Sequence, residues 1–318
     1  MHRLMPFLAL LLWATPSAAQ GFDTHWIRMP QPDSTSHVWF RQTYLPAGRA
    51  RDASITVVTT GFFKLYVNEC NVGRALYYPA RATGDDAPVA MTFNVTPYLR
   101  SDTDVVAIAY SPAWPHLNSR QISVAFHGRA ADGTPFCHWS DGNWLCRKAN
   151  SCLTTDGRER VDGRRHNAAW RTAWFDPALW VSAETQADRP DEQPESSLPA
   201  DKHRPTDGVA PHIVRRRGCS YIKTVGKGVE LEFGQGFHGR LRLTLRNALP
   251  GERICMDGLE YICSGEMDEQ ACPVFLTHNY RRPRLTGDSR FRRDQVTEAE
   301  ALETSCASDS QRNMLPLH

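Results

Sequence analysis

The stretch MTFNVTPYLRSDTDVVAIAY, Met91 to Tyr110, carries three local signals in one run. Met91 to Phe93 reads as a short strand. Asn94 to Leu99, with Pro97 inside it, makes a tight corner or a one-turn helix. Val105 to Tyr110 is a continuous apolar run of the kind found in the core of a sandwich. Strand, corner and core strand in twenty residues set the expectation for the chain around them.

Upstream, His37 to Leu45 alternates large apolar with polar residues, the period of a half-buried strand. Ala53 to Thr60 is β-branched. Phe62 to Val67 alternates again before Asn68-Glu69-Cys70-Asn71 turns the chain. Downstream, Gln121 to His127 alternates once more. No window carries a long helical stripe, and strands recur about every ten residues, the spacing of a β-sandwich.

Further on, Asp141 to Trp180 packs four tryptophans, two cysteines and the cluster Glu159, Asp162, Arg164, His166 and Asn167 into forty residues. Thr185 to Arg215, rich in Asp, Glu, Pro and Ser, has no periodicity and reads as an exposed linker. A second strand-rich segment follows: Tyr221 to Val225, Val229 to Phe233, and then Gly239 to Arg246, GRLRLTLR, whose alternation predicts an antiparallel strand with a basic face in water. Further strands and turns are expected at Tyr261 to Gln270, Phe275 to Tyr280 and Arg282 to Leu285. The predicted architecture is all-β, two jelly-roll-type β-sandwich domains joined by a polar linker. Its bounds are 1–19 for a signal peptide, 21–183, 184–215 for the linker, 216–306, and 307–318 for a tail.

The signal peptide rests on basic Arg3, the apolar run Phe7 to Trp13 and the small-x-small pattern Ser17-Ala18-Ala19. The run is too short to span a bilayer, so the mature chain is expected to be soluble and secreted or periplasmic. With 37 basic and 35 acidic side chains the net charge is +2, which argues against nucleic acid or an anionic membrane as the partner. Nine cysteines in an oxidising compartment predict several disulfides, with at least one thiol left over. Cys137, Cys146 and Cys152 are near neighbours in the chain, as are Cys255, Cys263 and Cys272, while Cys70, Cys219 and Cys306 stand apart. No CxxC is present, so structural or unpaired cysteine is preferred to zinc.

WFRQTYLP, FKLYVNECNVGRA and MTFNVTPYLRSDTDVVAIAY, in that order, resemble the galactose-binding-like jelly roll at the front of bacterial α-L-rhamnosidases and related glycoside hydrolases. Asn68 and Gly73 keep that family's turn, while Glu69-Cys70 replaces its usual glycine. The likeness continues through Ser140 to Trp144, Asp156 to Arg164, and Ala169-Trp170 to Phe175-Asp176 and Trp180. There Arg158 is an inserted residue, Val161 stands for an expected tyrosine and Gly163 for an expected alanine. VELEFGQGFHGRLRLTL resembles the entrance strand of the sandwich that precedes the family's catalytic barrel. The resemblance implies the accessory β-sandwich domains without the (α/α) barrel, and therefore a carbohydrate-binding protein that recognises rhamnose or a rhamnose-containing glycan and is non-catalytic as it stands. Two alternatives stay open: a rhamnosidase-related glycoside hydrolase whose barrel is lacking or supplied by a partner enzyme chain, and a structural interaction module with no sugar site.

Sugar recognition needs carboxylates, amides and guanidinium groups to bridge adjacent hydroxyls, with an aromatic face under the ring. Glu159, Asp162, Arg164, His166, Asn167 and Trp170 supply those types within a dozen residues. The resemblance implies a rhamnose site with calcium here, Asp162 and Asn167 being its candidate ligands. The competing reading makes Asp162 and Arg164 a structural ion pair and Trp170 and Trp180 core. Trp114, beside His116 on a Pro-flanked loop, is either a stacking platform or a plug on the sandwich end. Glu266, Asp268 and Glu269 offer carboxylates of the kind glycoside hydrolysis uses, though acids so close on a turn more often only solvate it.

Overall fold

The computed structural model describes residues 24–80, 88–112, 121–185 and 210–305. The expected signal peptide and tail, Cys306, Trp114, His116 and most of the linker lie outside the described residues.

The first strands are β1 (Trp26–Arg28), β2 (Ser36–Tyr44), β3 (Asp52–Thr59), β4 (Phe62–Val67), β5 (Cys70–Asn71) and β6 (Val89–Asn94). A 3-10 turn at Thr96–Tyr98 leads to β7 (Asp104–Ser111), then β8 (Gln121–Arg129), β9 (Pro135–Trp139) and β10 (Leu145–Leu153). β11 (Glu159–Asp162), β12 (Val181–Ser182) and β13 (Glu184–Thr185) complete the first half. The second half holds β14 (Ile213–Gly218), β15 (Tyr221–Val225), β16 (Gly228–Glu232), β17 (Phe237–Leu245) and β18 (Arg253–Met256). It ends with β19 (Leu259–Ile262), β20 (Glu269–Ala271), β21 (His278–Tyr280), β22 (Arg284–Gly287) and β23 (Val296–Thr304). Among the described residues no helix is long and apolar enough to cross a membrane.

Three sheets result. The first runs β13-β1-β8-β3-β6 with β9 on β8, and the third runs β14-β23-β17-β20 with β21 on β17. Between them a twelve-stranded sheet runs β15-β16-β22-β18-β19-β11-β10-β2-β7-β4-β5, with β12 on β10. It serves both halves. Its β2, β4, β7 and β10 face the first sheet across a core that includes Phe40, Ile55, Phe63, Ile108, Ile122 and Trp144. Its β16, β18, β19 and β22 face the third sheet across a second core around Leu231, Leu241, Leu243, Ile254 and Leu285. The halves join edge to edge where β11 pairs in parallel with β19, Glu159 opposite Leu259 through Asp162 opposite Ile262.

The central strand explains the run that opened the reading. Every residue of β7 is buried. Val106, Ile108 and Tyr110 point into the first core, whereas Val105, Ala107 and Ala109 point the other way into a third cluster with Trp170, Trp180 and Phe275. A strand covered on both faces has no reason to alternate. The small side chains of Ala107 and Ala109, opposite Tyr66 and Trp39 on the neighbouring strands, leave room for the tryptophans on that outer face.

Asn68 and Glu69 form the two-residue turn between β4 and β5, both with positive φ (49° and 75°). That is the conformation a type I′ hairpin turn demands, and Asn fits it well while Glu does not. Asn68 is buried and fully used: its amide nitrogen donates to the Tyr98 carbonyl and to Asp104 Oδ1, and its oxygen accepts the Val105 N–H.

Several expectations change. β13, and the first residues of β14, fall inside the stretch expected to be linker, because each has a sheet edge to pair with, β1 and β23. Arg240 on β17, expected in water, is 4% exposed, donates to the Leu276 carbonyl and lies over the Tyr77 ring at 5.7 Å. The first sandwich covers that part of the strand. No disulfide joins the described cysteines. Cys146 and Cys152 share β10, about 20 Å apart by the rise of a strand, and Cys137 sits on β9 in a different sheet. Nearness in sequence is not nearness across a sheet.

An aromatic-floored polar cleft and its surroundings

The segment after β11 is held by its own polar residues. The Asp162 side chain accepts the Arg164 N–H and caps a 3-10 turn at Gly163–Arg165. The Arg164 guanidinium grips both oxygens of that carboxylate, at 3.0 and 2.9 Å, and holds its pKa below the usual carboxylate value. Asn167 caps the next turn, Ala168–Arg171, by accepting the Ala169 N–H at 2.9 Å. Gly163 has a steric cause: a Cβ there would lie 2.5 Å from Tyr261 Oη and 2.9 Å from the Ile262 carbonyl oxygen.

These turns lower Trp170 onto the outer face of β2. Its ring stacks on Trp39, centroids 5.2 Å apart and 14° from parallel, and Trp180 completes a three-tryptophan stack at 6.0 and 6.3 Å. Trp170 and Trp180 are buried, while Trp39 is half-buried. A cleft of about 330 Å³ opens over them. Phe175 and the three tryptophans make its floor. Arg147, Lys148 and Asn150 line it from β10, where a register shift between Lys148 and Cys152 breaks the regular alternation. Arg164, Arg165, His166 and Asn167 line it from the turns.

Of the expected site residues, Arg164, His166, Asn167 and Trp170 therefore meet in one cleft. Asp162 stands behind it, committed to Arg164. Glu159 is a correction. It is 0% exposed, with Oε1 accepting the Val274 N–H at 2.6 Å and Oε2 those of Phe275 and Leu276 at 3.0 Å, so it clamps the second half to the first and offers nothing to a ligand. The cleft also takes in Trp39, Arg147, Lys148, Asn150, Arg165 and Phe175, to which the sequence reading assigns no site role. The signal for Trp39 lay in the alternation of β2: Val38 and Phe40 face the core, which puts a tryptophan on the side where a polar residue belongs.

The residues present do not fit a calcium ion. No carboxylate lines the cleft, Asp162 is held by Arg164, and the Asn167 oxygen caps a turn. Among the described residues no three His, Cys, Asp or Glu side chains are grouped to hold a metal. Of the carboxylates considered for hydrolysis, Glu266 is exposed on its turn and the other two are engaged. Glu269 is buried and accepts from the Ser264 and Gly265 N–H groups, Ser264 Oγ and Tyr261 Oη, and Asp268 pairs with Arg246 at 2.7 Å. A larger cleft of about 600 Å³ beside Asp257, His278 and Tyr280 contains none of the expected residues. Its arginines Arg158 and Arg284 are paired with Asp156 and Glu230.

Fold and cleft together define an all-β protein of two β-sandwiches sharing a sheet, with an aromatic-floored polar cleft on the outer face of the first. The family model of the alpha-L-rhamnosidase N-terminal domain matches residues 48–207, and the chain belongs to that family. Among solved structures it is similar to the α-L-rhamnosidase from Dictyoglumus thermophilum, with a TM-score of 0.72 and 16% identity over 89% of this chain and 36% of that one. The α-L-rhamnosidase from Aspergillus terreus gives 0.72 and 16% over 92% and 37%. That from Streptomyces avermitilis, solved with L-rhamnose, gives 0.69 and 18% over 86% and 29%. At such identities the likeness is one of fold. The chain spans 29–37% of the length of these enzymes. No curated protein matches the sequence.

Proposed function

We propose that the chain is an exported, non-catalytic carbohydrate-binding module that recognises rhamnose or a rhamnose-bearing glycan in the cleft over Trp39. The observation that carries this reading is the half-buried Trp39 ring, stacked with Trp170 and Trp180 and rimmed by Asn150, His166 and Asn167. A planar apolar floor beside amide, imidazole and guanidinium groups suits a pyranose ring, whose faces are apolar and whose edges are hydroxyls. Membership of a rhamnosidase domain family supports rhamnose as the first sugar to try.

Calorimetric titration of the mature chain with L-rhamnose tests it. Saturable heat that is lost in Trp39→Ala and reduced in His166→Ala, and that a chelator leaves unchanged, supports the reading. No heat with rhamnose or rhamnose-terminated oligosaccharides sinks it. A second reading, the accessory part of a longer rhamnosidase-like enzyme, draws on the fraction of the solved enzymes that the chain spans. A helical-barrel partner that co-purifies and cleaves rhamnosides would favour it.

A further inference from the structure

We infer, on the reading of the cleft just proposed, that its saccharide carries a negative charge, either a uronate carboxylate or a sulfate ester. The lining contains four permanent cations, Arg147, Lys148, Arg164 and Arg165, and no carboxylate. Two of the four are neutralised from behind: Lys148 by Asp33, and Arg164 by Asp162 at 2.9 Å. Arg147 and Arg165 make no ion pair or side-chain hydrogen bond at bonding distance among the described residues, and Arg165 shares the field of the Asp162 carboxylate that Arg164 already holds. The whole chain carries a net charge of only +2, so the excess is local to the cleft.

A neutral sugar leaves the half-buried Arg147 without a counter-charge and Arg165 sharing one carboxylate with Arg164, whereas a carboxylate or sulfate answers both. Guanidinium is the side chain whose planar fork matches two oxygens of such a group. The aromatic floor separates this arrangement from a bare phosphate site, since it offers a face to a ring as well as charge to a substituent.

The test is titration of the full mature chain, at low and high salt, with four probes. These are L-rhamnose, a rhamnosyl-galacturonate disaccharide, the same disaccharide with its carboxyl reduced, and a rhamnose sulfate monoester. The charged ligand that fits is expected to bind about tenfold more tightly than its neutral counterpart at low salt, the worth of one charge-assisted hydrogen bond. That advantage shrinks as salt rises. Arg147→Gln at a half-buried position and Arg165→Gln at an exposed one, both checked by thermal melting, are each expected to bring the charged ligand towards the affinity of the neutral one. Preference for the galacturonate or for the sulfate identifies the source of the charge. Equal binding of charged and neutral forms, or a charge preference that survives both variants, overturns the inference and leaves the sugar reading standing. Binding by none of the probes overturns both.

Discussion

Replacing Glu159 by glutamine separates a structural carboxylate from a ligand-binding one. Oε1 serves one backbone N–H and Oε2 serves two, at 2.6, 3.0 and 3.0 Å, in a site with no exposure to water. A carboxamide has a single acceptor oxygen. In its better orientation it keeps Phe275 and Leu276 and turns its NH₂ towards the Val274 N–H, donor against donor. One buried N–H is then orphaned, which costs about 1–3 kcal/mol, and the two surviving bonds lose their charge assistance at about 0.5–1 kcal/mol each. The sum is about 2–5 kcal/mol, a large part of the 5–15 kcal/mol that roughly spans the stability of folded domains. Urea unfolding followed by tryptophan fluorescence reads the change, and sugar titration of the folded variant reads the site. A loss below about 0.5 kcal/mol would refute the reasoning, since buried N–H groups are not left unpaired so cheaply. Abolished sugar binding at unchanged stability would return Glu159 to the site.

Three further outcomes follow from features already described. Glu69→Gly relieves a side chain held at φ 75° in the β4–β5 turn and gives up only a 3.8 Å exposed contact with Arg100, so stability is expected to rise by about 1 kcal/mol in chemical denaturation. Gly163→Ala drives a methyl group against Tyr261 Oη and a backbone carbonyl, and a loss of about 1–3 kcal/mol should appear in the same assay, with no change if the turn simply shifts. His37 is buried edge-on against Phe275, with Nδ1 bonded to Ser151 Oγ and Nε2 unpartnered, and burial lowers its pKa to about 4. Its folded pKa is depressed, so its contribution is complete above the unfolded value of about 6.5 and is lost as pH falls towards 4, about 3 kcal/mol in all. A His37→Asn variant whose stability keeps the same slope between those pH values would contradict this assignment.

Much of the first sandwich was legible because its strands obey local rules. Met91 to Tyr110 fell into strand, turn and core strand as its residues predict, and alternation placed β4 and β17 closely. What the sequence hid is what depends on partners distant in the chain. β23 is more than half Glu and Ala, poor strand formers, and owes its state to pairing with β14 on one side and β17 on the other. Arg240 read as a solvent-facing position because alternation reports which face a residue occupies and not what covers that face. Glu159 sat among ligand-like residues, and only the fold shows that three backbone N–H groups more than a hundred positions away consume it. Four of the expected cleft residues were in reach because they share one short segment, while Trp39, Arg147 and Asn150 arrive from other strands.

The parallel pairing of β11 with β19 makes covalent and structural halves different things. A chain cut between residues 186 and 209 would be two polypeptides but still one sheet, because four ladder positions and the Glu159 clamp bridge the break. The fragments 24–185 and 210–305 should thus behave as a complementing pair, assembling when co-expressed as split reporters do. Alone, the first would bare the aromatic cluster around Phe275 and the free edge of β11, and each would expose a strand edge open to the wrong partner.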